Sequence, residues 1–222
     1  MKRSLLPLGV LLLVPLLGAA EKRVDELLPP PIAPSSDAVA ATAADAPVSR
    51  LRLGRLDIVL EETPLAIVQE MLSIGTIGER GDATEQIFWL CYTYDAAGVR
   101  ARVWLVSSGE FGGSEHVVDG IAAAVVSAES PVSANCPALH SGDAAWIDRR
   151  IWLGLAENEL IRRLGRPSEV QGSVLHFLFD GDVVHAAASR GSADTFAVTS
   201  HLMVEMRDGR VSRLWGWRRT SD

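Results

Sequence analysis

Apolar residues alternate with polar ones at Leu51, Leu53, Leu56, Ile58 and Leu60, the period of a strand with one buried face. Thr63-Pro64 comes next, with Thr63 placed to cap a helix and Pro64 at its first position, where a missing N–H costs nothing. Leu65, Val68, Met71 and Leu72 then recur at helical spacing, and Gly75 and Gly78 end the run. Residues 85–94 are rich in aromatic and β-branched side chains and predict a strand. Asp95-Ala96-Ala97-Gly98 predicts a turn into a second strand over 99–107. A glycine-rich loop from Ser108 to Gly113 leads to a third apolar strand over 117–126.

The order then repeats. Residues 146–153 are strand-like, and Leu155, Leu160, Ile161 and Leu164 mark a helix. Gly165 sits where a left-handed C′ residue is needed and Pro167 blocks continuation. Glu157 and Glu159 near its start, with Arg162 and Arg163 near its end, complement the helix dipole. A short strand over 174–179 is followed by Asp180-Gly181-Asp182, which predicts a turn. Strands over 195–206 and 211–217 flank Arg207-Asp208-Gly209-Arg210, whose Asp-Gly centre is a strong hairpin signal. The fold class expected is α+β, as two tandem modules over 51–127 and 146–222. Each is a short helical segment packed on an antiparallel sheet, and residues 128–145 connect them.

The chain before residue 51 reads differently. Lys2 and Arg3 precede an apolar run from Leu5 to Leu17, and Gly18-Ala19-Ala20 supplies small residues before Glu21. That is the pattern of a secretory signal peptide over 1–20, too short and too interrupted by Pro7 and Pro15 to be a comfortable membrane anchor. Residues 21–50 hold Pro29-Pro30-Pro31 and an Ala, Ser, Asp and Pro-rich tract, the composition of a flexible leader. The expectation is an exported, periplasmic protein with no lipid-bearing cysteine after the apolar run and no later transmembrane segment.

Cleavage would leave 19 of the 21 basic residues against 28 acidic ones. Such an acidic balance argues against nucleic acid, which needs a basic surface. Cys91 and Cys136 are the only cysteines, and an even count in an oxidising compartment favours a disulfide over two free thiols. With no C-x-x-C and five scattered histidines, no metal or other cofactor is expected.

Gly154-Leu155-Ala156-x-x-Glu159-Leu160-x-x-x-Leu164-Gly165-x-Pro167 resembles the helix motif of small outer-membrane lipoproteins of the SmpA/OmlA (BamE) type. His201-Leu202-Met203-Val204 with Asp208-Gly209-Arg210-Val211 and the closing Trp217 resembles the last hairpin of secreted β-lactamase inhibitor protein. The resemblance implies a helix-loop-helix packed on one face of an antiparallel sheet, in the inhibitor family as two tandem copies. It departs at Ala156, where the motif has Ser or Thr. The first module also lacks the Gly-x-Pro ending, and there is no lipidation cysteine.

No catalytic constellation is legible, and the function expected is non-enzymatic binding. A G-x-S-x-G is absent, and His140-Ser141-Gly142-Asp143 is a local cluster in a loop. Ser107, Ser108, Glu110, Glu115, His116 and Asp119 gather around the glycine loop at no ligand spacing. An exported hydrolase using His116 or His140 is the rival, and a structural envelope assembly factor a third reading. The partner-binding candidates are His201, Met203, Arg213, Trp215 and Trp217, with Arg218 and Arg219 beside them, because Trp and Arg dominate interaction hot spots. An unbroken two-residue hairpin would instead put Arg213 and Trp215 on the face of Leu202 and Val204. Either Arg213 then reaches out to an edge or a bulge shifts the strand.

Overall fold

Two three-stranded antiparallel meanders, joined side by side, make most of the large sheet. The computed structural model describes residues 28–35, 39–82, 86–96, 99–108, 116–139, 145–186 and 193–221. The signal segment 1–20 lies outside these, as do residues 109–115 of the glycine loop and His140.

The first stretch contributes β1 (Arg50–Leu53), β2 (Leu56–Val59), α1 (Leu65–Leu72), β3 (Gly78–Arg80), β4 (Ile87–Ala96), β5 (Val99–Ser108) and β6 (Gly120–Val126). The second contributes β7 (Ala145–Ile147), α2 (Glu157–Leu164), β8 (Glu169–Gln171), β9 (Val174–Ala186), β10 (Ala193–Arg207) and β11 (Arg210–Ser221). Eight strands form one antiparallel sheet in the order β3-β4-β5-β6-β11-β10-β9-β8. A small sheet, β2-β1-β7, pairs Leu51 with Ile147. Strands dominate, which is compatible with the expected α+β class and equally with a mainly β architecture. Both outer strands of the large sheet are three residues long, which blunts its edges.

The main core lies on one face of the large sheet. Leu90, Tyr92, Val103, Leu105, Ile121, Ala123, Phe177, Leu202, Val204 and Leu214 pack there against Leu65 and Val68 of α1, Leu160 of α2 and Leu51, Ile58 and Ile147 of the small sheet. Every one of these sheet positions follows the period of two. The same alternation turns Trp89, Cys91, Trp104, Ala122, Met203 and Trp215 to the opposite face, which carries no helix among the described residues.

Several local expectations are corrected. Asp180-Gly181-Asp182 is no turn: β9 runs through it, with Asp180 opposite Thr199 and Asp182 opposite Ala197. The Asp-Gly-Asp signal is local, whereas pairing with the Thr- and Val-rich β10 is not, and the Phe179 ring lies over Gly181, 2.7 Å from where a Cβ would stand. The strand expected over 146–153 stops at Ile147, where a turn through Arg149 and Arg150, both at positive φ, redirects the chain. Thr63 does not cap α1. Its hydroxyl accepts from Val59 N–H at 3.0 Å, Pro64 takes the cap position, and Ser73 at φ 56° ends the helix in place of Gly75.

The final hairpin takes the bulged alternative. Met206 faces Val211, but Glu205 faces Arg213, Val204 faces Leu214 and Met203 faces Trp215. The extra residue is Ser212, whose hydroxyl donates to Glu205 O at 3.0 Å. One inserted residue moves Arg213, Trp215 and Trp217 onto the helix-free face.

Among its described residues, 28–35 and 39–49, the leader has neither helix nor strand, in keeping with its prolines, yet the expectation of a loose segment is corrected from Leu28 onward. Thr42 and Ala43 N–H groups donate to Leu178 O at the open edge of β9, at 3.1 and 3.0 Å. Val48 is fully buried and exchanges hydrogen bonds with the Ser200 hydroxyl. A Pro-rich segment still has carbonyls and apolar rings to dock. The connector is fastened too. Cys91 and Cys136 form a disulfide, and residues 137–139 bond Thr93 on both sides, extending the sheet past β4.

Candidate functional site

β6 reads Gly-Ile-Ala-Ala-Ala-Val-Val, and the period of two sends Gly120, Ala122 and Ala124 to the helix-free face. Side chains this small leave a trough along β6. Its walls come from the neighbours in register. Trp104 and Trp215 both stand opposite Ala122, and Val106 and Trp217 both stand opposite Gly120. The walls also rest on buried neighbours, Trp89 and Met203. Part of this space is a groove of about 410 Å³, bounded by Ile87, Val106, Ala122, Trp215, Trp217 and Pro30 to Ala33 of the leader.

One end of the trough is polar. Asp119 accepts Ser108 N–H at 3.0 and 3.1 Å and also takes the Ser108 hydroxyl hydrogen bond. Burial pushes its carboxyl above the ordinary carboxylate range, against the opposing pull of Ser108 and Arg219. Arg80, Arg218 and Arg219 line the same end. Arg218 is held by Glu61 at 3.0 Å, and that carboxylate also accepts Thr220 N–H and hydroxyl at 2.6 and 2.7 Å.

The five expected contact residues do share one face, but only two of them are near solvent. His201 and Met203 are each 1% exposed and Trp215 6%. Trp217 is half-buried. Arg213 is 45% exposed in its side chain and pairs with Glu205 at 3.2 Å. Burial of the first three is the correction: an aromatic stripe on a strand is also what an inward face looks like. His201 Nε2 stands 3.3 Å from His176 Nδ1, and the Trp217 ring meets His201 edge-on. Desolvation holds both imidazoles below the ordinary value, His201 at about 4, with its neighbour His176 adding to the effect. The outer nitrogens, His176 Nε2 and His201 Nδ1, have no hydrogen-bond partner among the described residues.

The rival histidine reading finds no assembled site among the described residues. His116 stacks on Phe88 with ring centroids 3.7 Å apart, against the main core. Asp119 instead bonds Ser108 on the other side of the sheet. No group of three or more His, Cys, Asp or Glu side chains able to hold a metal occurs among the described residues.

Sequence reasoning missed Trp104, the Gly120, Ala122 and Ala124 floor, and the leader residues seated beside them. The readable signal was there: small residues at every second position of β6. Which tryptophans flank that strand depends on sheet order, and no local pattern carries it. The chain matches no protein-family model, no curated protein and no solved structure.

Proposed function

We propose that this chain is an exported, non-enzymatic binding protein whose partner, a protein or cell-envelope component, docks on the helix-free face of the eight-stranded sheet. The observation that supports it is the trough over β6, an apolar floor between tryptophan walls with guanidinium groups at its end. Rigid aromatic walls bury large area at little entropic cost, and arginines beside them add directional donors. Placing this in the periplasm rests on the signal-peptide pattern of residues 1–20 and agrees with the disulfide. No helix among the described residues is long and apolar enough to cross a membrane.

The sheet order is a palindrome of two four-strand halves, β3 to β6 and β8 to β11, meeting at β6 and β11. Each half is preceded by its own eight-residue helix on the same face. Two related modules, as in the inhibitor-type arrangement, account for this order with a single duplicated unit.

The test is site-specific photo-crosslinking in the native compartment. A crosslinker at Arg213, on the helix-free face, should trap a discrete partner, whereas one at Arg162 on α2 should not. Equal capture from both positions, or none from Arg213, would contradict the reading. Alanine at His201, Met203 or Trp215 is a poor probe, because these buried side chains report on folding.

A further inference from the structure

The leader does more than lie near the trough. Trp104 Nε1 donates to Leu28 O at 3.1 Å and Trp215 Nε1 donates to Pro31 O at 3.2 Å. These carbonyls are three residues apart along Leu28-Pro29-Pro30-Pro31. Proline holds φ near −65°, and each residue before a proline is steered to extended backbone. Leu28, Pro29 and Pro30 all precede prolines, so the segment is committed to polyproline II.

That helix has three residues per turn, so carbonyls i and i+3 face the same way, about 9.3 Å apart. The two indoles flank Ala122 from strands on either side of β6. Two strand spacings amount to about 9.6 Å. The ladder of donors on the sheet therefore matches the ladder of acceptors on a proline helix.

We propose that the helix-free face recognises a proline-rich, extended segment of a partner protein, and that residues 28–33 are a tethered self-ligand that this partner displaces. This deepens the binding reading above and rests on it. The chemistry selects proline specifically. A proline run has no backbone N–H, and both indole groups reaching Leu28 and Pro31 are donors. An ordinary strand would also bring N–H groups needing acceptors. The small floor at Gly120 and Ala122 admits the bulky rings, and Pro30, Pro31, Ile32 and Ala33 line the groove beside Trp215 and Trp217. Ile32 is 85% exposed, so the self-ligand grips by its prolines and not by a buried side chain at that position.

A tethered segment acts at about millimolar effective concentration, so a site of about 100 μM intrinsic affinity is roughly nine-tenths self-occupied and masked about tenfold. The test uses the full chain in two forms, native and with Pro29→Gly, Pro30→Gly and Pro31→Gly together. The probe is a synthetic peptide of residues 27–34, Leu-Leu-Pro-Pro-Pro-Ile-Ala-Pro, with a control peptide, Leu-Leu-Gly-Gly-Gly-Ile-Ala-Pro, in which the three consecutive prolines are glycine. Indole N–H resonances of Trp104 and Trp215 report occupancy.

The glycine-leader chain should show both resonances moved from their native positions. It should bind the proline peptide about tenfold more tightly than the native chain, and adding Trp104→Phe with Trp215→Phe should remove at least tenfold of that affinity while circular dichroism stays native. Unmoved resonances in the glycine-leader chain, no peptide binding to it, or equal binding of both peptides would overturn the proposal. Crosslinking of a partner through Arg213 that excess proline peptide, added before irradiation, fails to suppress would also overturn it, while leaving the binding face itself standing.

Discussion

Lowering the pH from 7.5 to 5.0 acts on the buried imidazole pair of His176 and His201 before it reaches most carboxylates. His201 sits at about 4 in the fold against an ordinary value of 6.5, because burial and the neighbouring His176 both oppose its charged form. As pH falls below about 6.5 the unfolded chain takes up a proton that the folded chain refuses. Stability is therefore full above that value and declines as pH falls toward about 4. At pH 5.0 the loss from His201 alone is about 2 kcal/mol, and it approaches about 3 kcal/mol below the folded value. His176 is shifted the same way, with Glu169 partly opposing. Asp119, held above its ordinary range, contributes with the opposite sign. Urea unfolding of the native chain and of His201→Gln at both pH values isolates the effect. The native chain should lose about 2 kcal/mol more between them than the variant. Equal losses would mean His201 takes its proton freely in the fold, and the buried pairing would be wrong.

Two further outcomes follow from the packing. Replacing Cys91 and Cys136 with alanine opens a loop spanning 45 residues and should cost about 4 kcal/mol by chain entropy, seen as a fall in Tm of roughly 12 °C. Little change in Tm would show the connector to be held by its Thr93 hydrogen bonds alone. Gly78→Ala would put a methyl 2.5 Å from the Trp89 ring and should destabilise by about 1–3 kcal/mol in denaturant melts, whereas Gly172→Ala meets nothing within 4 Å and loses only what its positive φ requires.

How much of this was legible depended on distance along the chain. Strands with a clear period of two, the α2 stop at Gly165 and the Asp208-Gly209 hairpin are local signals and were read in place. The turn expected at Asp180-Gly181-Asp182 failed because a neighbouring strand overrode a local preference. The face of Arg213 and Trp215 hung on one residue, Ser212, and the alternation alone left both outcomes open. The trough was hidden for a different reason. Its floor is local to β6, but its walls, Trp104 and Trp215, lie 111 positions apart in sequence and meet only through strand order. The leader was misjudged because lack of donors and lack of periodicity describe a segment that cannot fold by itself. They say nothing about whether it can dock.

Hydrogen exchange of the full chain, with and without the partner trapped through Arg213, tests the central claim most directly. Docking on the helix-free face predicts added protection in β5, β6 and β11 with none in α1 or α2. Protection confined to the helices and the small β2-β1-β7 sheet would contradict it.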